Sequence, residues 1–370
     1  MWRRFPVLLI GLVFLATTAL GQPPDPDQLF REAVDAQQRG DFSVAVENYR
    51  ELLKIQPNSV PALANLGAAL SHLGRFDEAV SEYRKALKLD TGNGAIRLNL
   101  ALAFYKKGDF QNASTEFEEL HSANASDLQV ATLLGDCYLR LGHPHQAVGV
   151  TAPLAASYPE NLDLAYVAGT ALIRDGRRSD GLPLVDRVAK QGNSADAYLL
   201  AGATYLGLNQ FDPALEDLEA ALRLNPDLPD IHTLVGIARD KVGNAQGAEP
   251  EFRKALQKNA DDFRANLYLG ALLYKRRDLH SARIYLEHAL HLEPSSALAR
   301  YEFALTEGAL GQFEAAAADL QAVIHKSPDW LDPHVELAAL YYKMHRTAEG
   351  AKEREIVDRL AAQQQAQGPQ

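Results

Sequence analysis

Cysteine is almost absent from this chain, since Cys137 is the only one in 370 residues. A lone cysteine excludes an internal disulfide and any metal site built on several thiolates. Positive charge is in short supply too, with 37 Lys and Arg against 48 Asp and Glu and a formal net charge of -11. So acidic a chain is poorly matched to a phosphate backbone, and nucleic acid is not an expected partner. The apolar run near the N-terminus, residues 5–20, is sixteen residues long, short of the roughly twenty that span a bilayer. No H-E-x-x-H, nucleophile elbow, phosphate loop or dinucleotide fingerprint occurs. The expectation is a protein that is not an enzyme and carries no cofactor.

The N-terminal run has the order of an export leader. Arg3 and Arg4 form a basic start, residues 7–15 an apolar core, and Ala19, Leu20 and Gly21 a small-residue cleavage region. Residues 1–21 are therefore expected to be a signal peptide cut before Gln22, which places the protein in a periplasm or outside the cell. The alternative is an uncleaved N-terminal anchor; with cleavage the chain is not an integral membrane protein. No cysteine follows the apolar core, so lipidation of the mature N-terminus is excluded. Residues 22–25 read as a short linker, with Asp25 capping a helix whose first residue is Pro26.

What the chain has in abundance is period. Residues 60–93 hold apolar or small residues at helical spacing (Leu63, Leu66, Gly67, Leu70), break at Gly74, and resume from Phe76 through Ala79, Tyr83, Ala86 and Leu89. This is the pattern of two antiparallel helices. It returns every 34 residues, with starts at Pro26, Val60, Gly94, Leu128, Leu162, Ala195, Pro229, Phe263, Ala297 and Leu331, and only the step from Leu162 to Ala195 is one residue short. Position eight of all ten repeats is Ala or Gly, from Ala33 and Gly67 to Ala304 and Ala338, and so is position twenty, from Ala45 to Gly350. Where two helices cross closely, anything beyond a methyl group would force the backbones apart, at a cost of ~1–3 kcal/mol. Gly40, Gly74, Gly108, Gly142, Gly176, Gly243 and Gly311 end first helices, an aromatic follows two residues later at Phe42, Phe76, Phe110, Phe211 and Phe313, and Pro57, Pro159, Pro226, Pro294 and Pro328 end second helices.

These features resemble the tetratricopeptide repeat family over residues 26–364. The resemblance implies an all-α fold, a right-handed α-solenoid superhelix of about ten 34-residue helix-turn-helix repeats that binds ligands on its concave side. Residues 365–370 are left as a disordered tail, after a polar last helix from Ala348 to about Gln365 that serves as the terminal cap. Pro153 and Pro183 lie inside second helices, and the short junction follows them, so residues 150–194 are expected to disturb the array, either as a hinge or as a local kink.

If positions four, seven, eight and eleven of each first helix face its partner, positions two, six, nine and thirteen point the other way and line an inner surface. That places Asn65, Asn99 and Tyr268 on it, with Tyr105, Tyr166, Tyr274 and Tyr301 at the flanking positions five and twelve. Packing against adjacent repeats accounts for part of this apolar and aromatic surface, and the remainder can hold a polypeptide. Position thirteen carries a basic stripe that includes Lys106, Arg140, Arg174, Lys241 and Lys275, and position two an acidic one. Both stripes also complement the helix dipole and so do not require a ligand. Under the family resemblance, Asn65 and Asn99 match inner-face asparagines that hold peptide backbone, whereas Ala64, Ala68, Leu98 and Leu102 stand where a carboxylate clamp needs polar groups.

Three further features read more simply as surface or core. His288 and His291 share a helix face with Glu287 as a metal candidate, yet read as a solvated face. Cys137 reads as a small buried hydrophobe, and the sequons at Asn112 and Asn124 matter only in a eukaryotic secretory pathway. The expected function is an exported scaffold holding another protein or peptide in its groove. An envelope polysaccharide in the same groove is the alternative.

Overall fold

A computed structural model describes residues 25–367, so the expected leader at 1–21 and most of the linker lie outside the described residues. The described residues form twenty α-helices and no strand. They fall into two compact units, up to Gly142 and from His143 onward. In the first unit the helices are α1 (Pro26–Gln38), α2 (Phe42–Ile55), α3 (Val60–His72), α4 (Phe76–Leu89), α5 (Gly94–Lys107), α6 (Phe110–Ala123) and α7 (Leu128–Arg140). The second opens with α8 (Pro144–Ser157), α9 (Leu162–Arg174), α10 (Arg178–Gly192), α11 (Ala195–Gly207), α12 (Phe211–Leu224) and α13 (Ile231–Lys241). It continues with α14 (Ala245–Lys258), α15 (Phe263–Lys275), α16 (Leu279–Leu292), α17 (Ala297–Ala309), α18 (Phe313–Lys326), α19 (Leu331–Lys343) and α20 (Thr347–Gln367).

Within each unit every helix packs on the next, and odd-numbered helices also touch: α3 meets α5 in the first unit, and α9 through α19 form such a series in the second. The odd-numbered helices therefore share one face in each unit. The small residues at position eight create this packing. A Cβ added at Gly67 would lie 2.7 Å from the Tyr83 ring, and at Gly236 2.6 Å from the Phe252 ring; at Gly270 it would meet Leu286 at 2.5 Å. Each is the same meeting, position eight of one helix under position twenty-four of its partner. Position twenty is as tight at Gly181, where a Cβ would come within 2.5 Å of the Gly169 carbonyl oxygen.

The turn at position fifteen is left-handed in all ten repeats. The seven glycines named above have φ between 72° and 86°, and where glycine is missing, Asn209, Arg277 and His345 take the same conformation at 57°, 66° and 60°. Here the backbone requirement of the turn overrides side-chain preference.

Four places bear on the expected pattern. Helix α13 begins at Ile231 rather than at Pro229, because Asp230 has a φ of 58°, a left-handed conformation that a right-handed helix cannot contain. Asp230 thus stands at the helix cap, outside the first turn. Helices α8 and α10 run unbroken across Pro153 and Pro183, and α14 does so across Pro250, a third internal proline at the same helix position as Pro183. The short junction is absorbed in the loop: α10 ends on the left-handed Asn193 and α11 starts two residues later, capped by Ser194. The last helix continues through Gln367, past the stop expected near Gln365.

Polar side chains pin several hairpins at position four, where the template is apolar. Arg97 donates to Glu116 at 2.7 Å and Arg300 to Asp319 at 2.6 Å; His232 meets Glu251 at 2.7 Å and His334 meets Glu353 at 2.6 Å. Each pair joins position four to position twenty-three. Three of the four also reach back to a carbonyl six residues earlier: Arg97 to Thr91, Arg300 to Pro294 and His334 to Pro328. The position-four residue so ties its own hairpin to the end of the preceding second helix.

Candidate functional site

The odd-helix face carries the candidate binding residues, five in the first unit and seven in the second. In the first unit, Asn65 is half-buried on α3, close enough to the Tyr49 hydroxyl to bond it, while Asn99 on α5 is exposed. Lys106 is exposed and makes no ion pair among the described residues. Tyr105 and Arg140 are drawn together. The Tyr105 hydroxyl donates to Asp136, Arg140 Nε donates to the same carboxylate at 2.6 Å, and the Arg140 guanidinium lies over the Phe110 ring at 4.9 Å. Burial and then the Asp136 carboxylate push the Tyr105 hydroxyl up to about 12. Arg140 is consequently engaged within the protein rather than held open along the face.

In the second unit Tyr166, Tyr268, Tyr274 and Tyr301 are all half-buried, with part of each ring accessible. Tyr268 stacks on Phe252 at 6.2 Å, and Tyr301 lies against Trp330 at 4.8 Å with a 47° tilt. Of the basic residues, Arg174 and Lys241 are exposed, and Lys275 meets Asp240 at 3.5 Å. Several residues at the lining positions five, six, nine and twelve are core instead, Leu139 in the first unit and Val167, Leu234, Ile237 and Leu267 in the second.

Two carboxylates on this face escaped the sequence reading. Glu302 is half-buried, its pKa raised by burial against the opposing charges of Lys275 and Lys241. Glu336 lines a cavity of about 320 Å³ together with Tyr274, Arg277, Leu305 and Lys343. Both occupy position six, and an acid there in two consecutive repeats is the signal the sequence carries. Burial, followed by the charges of Glu336, Asp332 and Glu302, holds the Tyr301 hydroxyl far above its ordinary range.

Chemistry elsewhere is sparse. Among the described residues no group of three or more His, Cys, Asp or Glu is placed to hold a metal, and His288 bonds Asp261 at 3.0 Å. Cys137 is fully buried, which pushes its thiol up to about 12. No described helix is long and apolar enough to cross a membrane.

Tetratricopeptide repeat family models match residues 30–94, 73–137, 195–228 and 233–297, together more than half of the chain. The chain belongs to the tetratricopeptide repeat family. Among solved structures, this tetratricopeptide chain is similar to the Cut9-Hcn1 hetero-tetramer of the APC/C, at 11% identity and a TM-score of 0.51 over 92% of this chain and 94% of that one. This likeness shows the fold alone. It is also similar to YrrB, described as a TPR protein with an unusual peptide-binding site, at 23% identity and a TM-score of 0.45 over 53% of this chain and all of that one. A curated relative, the human protein O-mannosyl-transferase TMTC1, is 25% identical over 185 residues. That match takes in 49% of this chain and 21% of the relative, so the chain spans about a fifth of that protein's length.

Proposed function

We propose that this protein is an exported, non-enzymatic scaffold that holds a polypeptide along the odd-helix face of its second unit. The observation that carries the reading is the series there of half-buried tyrosines, Tyr166, Tyr268, Tyr274 and Tyr301, of which Tyr274 lines a mixed-charge cavity with Glu336 and Lys343. Tyrosine offers apolar area together with a hydrogen-bonding end, which suits contact with a chain that is apolar and polar by turns. Lys241, Lys275, Glu302 and Glu336 set both charge signs along the face, favouring a polypeptide over a uniformly anionic polymer. Non-catalytic work agrees with the family, whose fold is generally a scaffold, and with the lack of a catalytic motif. Export rests on the leader pattern of residues 1–21.

The test is photocrosslinking in cells from Tyr268 and Tyr274, with Ile284 as a control. One polypeptide captured from both tyrosines, absent from the control and lost with Tyr301→Ala, supports the reading. Carbohydrate adducts, or no capture from either tyrosine, would overturn it. Mass analysis of the secreted protein should find Gln22 at the N-terminus; a retained leader would remove the exported, cleaved form.

A further inference from the structure

The first unit carries a cleft of its own, lined mostly by an even-numbered helix. It opens between the side of α4 and the junction of α5 with α6, holds about 430 Å³, and is lined by Arg84, Lys85, Lys88 and Lys107, with Asp77, Asp109 and Phe104. Four cations around one cleft are unexpected in a chain of net charge -11.

The carboxylates in and around the cleft are already committed. Asp77 holds Lys107 at 2.5 Å, and Glu82, on the same helix, holds Lys85 at 2.8 Å. Asp109 caps α6, accepting from the Asn112 backbone at 3.2 Å and from its side chain at 2.8 Å. Arg84 and Lys88 make no ion pair among the described residues. Lys88 sits in the last turn of α4, where a cation complements the helix dipole, but Arg84 is a turn earlier and has no such reason to be basic. Its guanidinium is held over the Phe104 ring at 5.3 Å, and the residue stays exposed. Arg84 also lies within electrostatic reach of Lys107, so the two like charges face one cleft.

We infer that this cleft is a second interaction surface, which takes an acidic polypeptide segment through Arg84 and Lys88, with Lys85 and Lys107 at its edges. The form of the cleft selects that ligand over a phosphate group. All four cations are exposed and spread over more than one turn of helix, so no desolvated pocket encloses a compact dianion. Spaced, solvated cations match a row of singly charged carboxylates, and they give salt-sensitive binding.

The test uses the full chain and a fluorescent oligoglutamate peptide, with oligoglutamine of equal length as the reference, followed by anisotropy. Oligoglutamate should bind at low salt and be released at high salt, and oligoglutamine should not bind. The double variant Arg84→Glu, Lys88→Glu should weaken binding by roughly tenfold. The same change of charge at exposed positions of α20, Lys352→Glu with Arg359→Glu, should leave it unaltered. If circular dichroism finds the first double variant unfolded, Arg84→Gln with Lys88→Gln replaces it and should give a smaller loss in the same direction. No oligoglutamate binding, equal loss in the α20 variant, or preference for a phosphoserine peptide over oligoglutamate would each overturn the assignment.

Discussion

At the scale of the residue, a left-handed turn costs little at glycine and about 1–2 kcal/mol at a residue with a branched or long side chain. The turns at Arg277 and His345 bear that cost, whereas Asn209 tolerates the conformation better. Arg277→Gly and His345→Gly should therefore each raise the melting temperature, by an amount equivalent to about 0.5–1 kcal/mol, with Asn209→Gly close to neutral. The reverse change, Gly108→Ala, should lower stability by about 1 kcal/mol, because Gly108 holds a φ of 83°. The helix crossings give a second test. A Cβ at Gly270 would already press on Leu286, so Gly270→Val should cost at least ~1–3 kcal/mol in denaturant unfolding. These positions were legible in the sequence because a close approach admits only Ala or Gly, and ten repeats show the same restriction ten times.

At the scale of the element, the hairpins could be read from spacing, and what departs from spacing could not. Pro229 carries the mark of a helix start, yet the left-handed Asp230 moves the start of α13 to Ile231. That conformation depends on one turn and leaves no periodic trace. The internal prolines Pro153 and Pro183 pointed to a hinge or a local kink, and α8 and α10 each run as one helix across them, as α14 does across Pro250. The pairs between positions four and twenty-three were hidden because only some repeats use them, and each use looks like an isolated polar residue. His334 shows their weight: it is 3% exposed and bonds both Glu353 and the Pro328 carbonyl. His334→Ala leaves both partners without their bond and should cost about 1–3 kcal/mol, measured by thermal unfolding, with the loss centred on the last hairpin. The candidate face was legible in outline for the same reason as the fold, since period assigns its positions. The pairing of its charges was not, because Asp240 and Glu302 face Lys275, and Glu336 faces Tyr301, across repeat boundaries.

At the scale of the whole molecule, buried acids couple folding to pH. Burial and then the neighbouring Asp186 push Asp217 up to about 6, and burial and then Asp319 push Glu307 up to about 7. Unfolded carboxyls release their protons near pH 4. Between there and about pH 7 the folded state keeps protons that the unfolded state has lost, so stability falls as pH rises through this window and levels off above it. Asp217→Asn and Glu307→Gln should each flatten that fall in urea midpoints collected across the range. Below the window the sign reverses. Burial would raise the pKa of Glu251, but bonds from His232 and Lys254 hold it low, and protonating it removes those contacts.

The buried Cys137 has a practical consequence. Its thiol has no exposed surface and holds its proton up to about 12, so alkylating reagents at neutral pH should leave the native chain unmodified. Any cysteine introduced on the surface then reacts against a silent background. Paired labels placed in successive turns would report the opening of individual hairpins, and the order in which the array comes apart could be followed one 34-residue unit at a time.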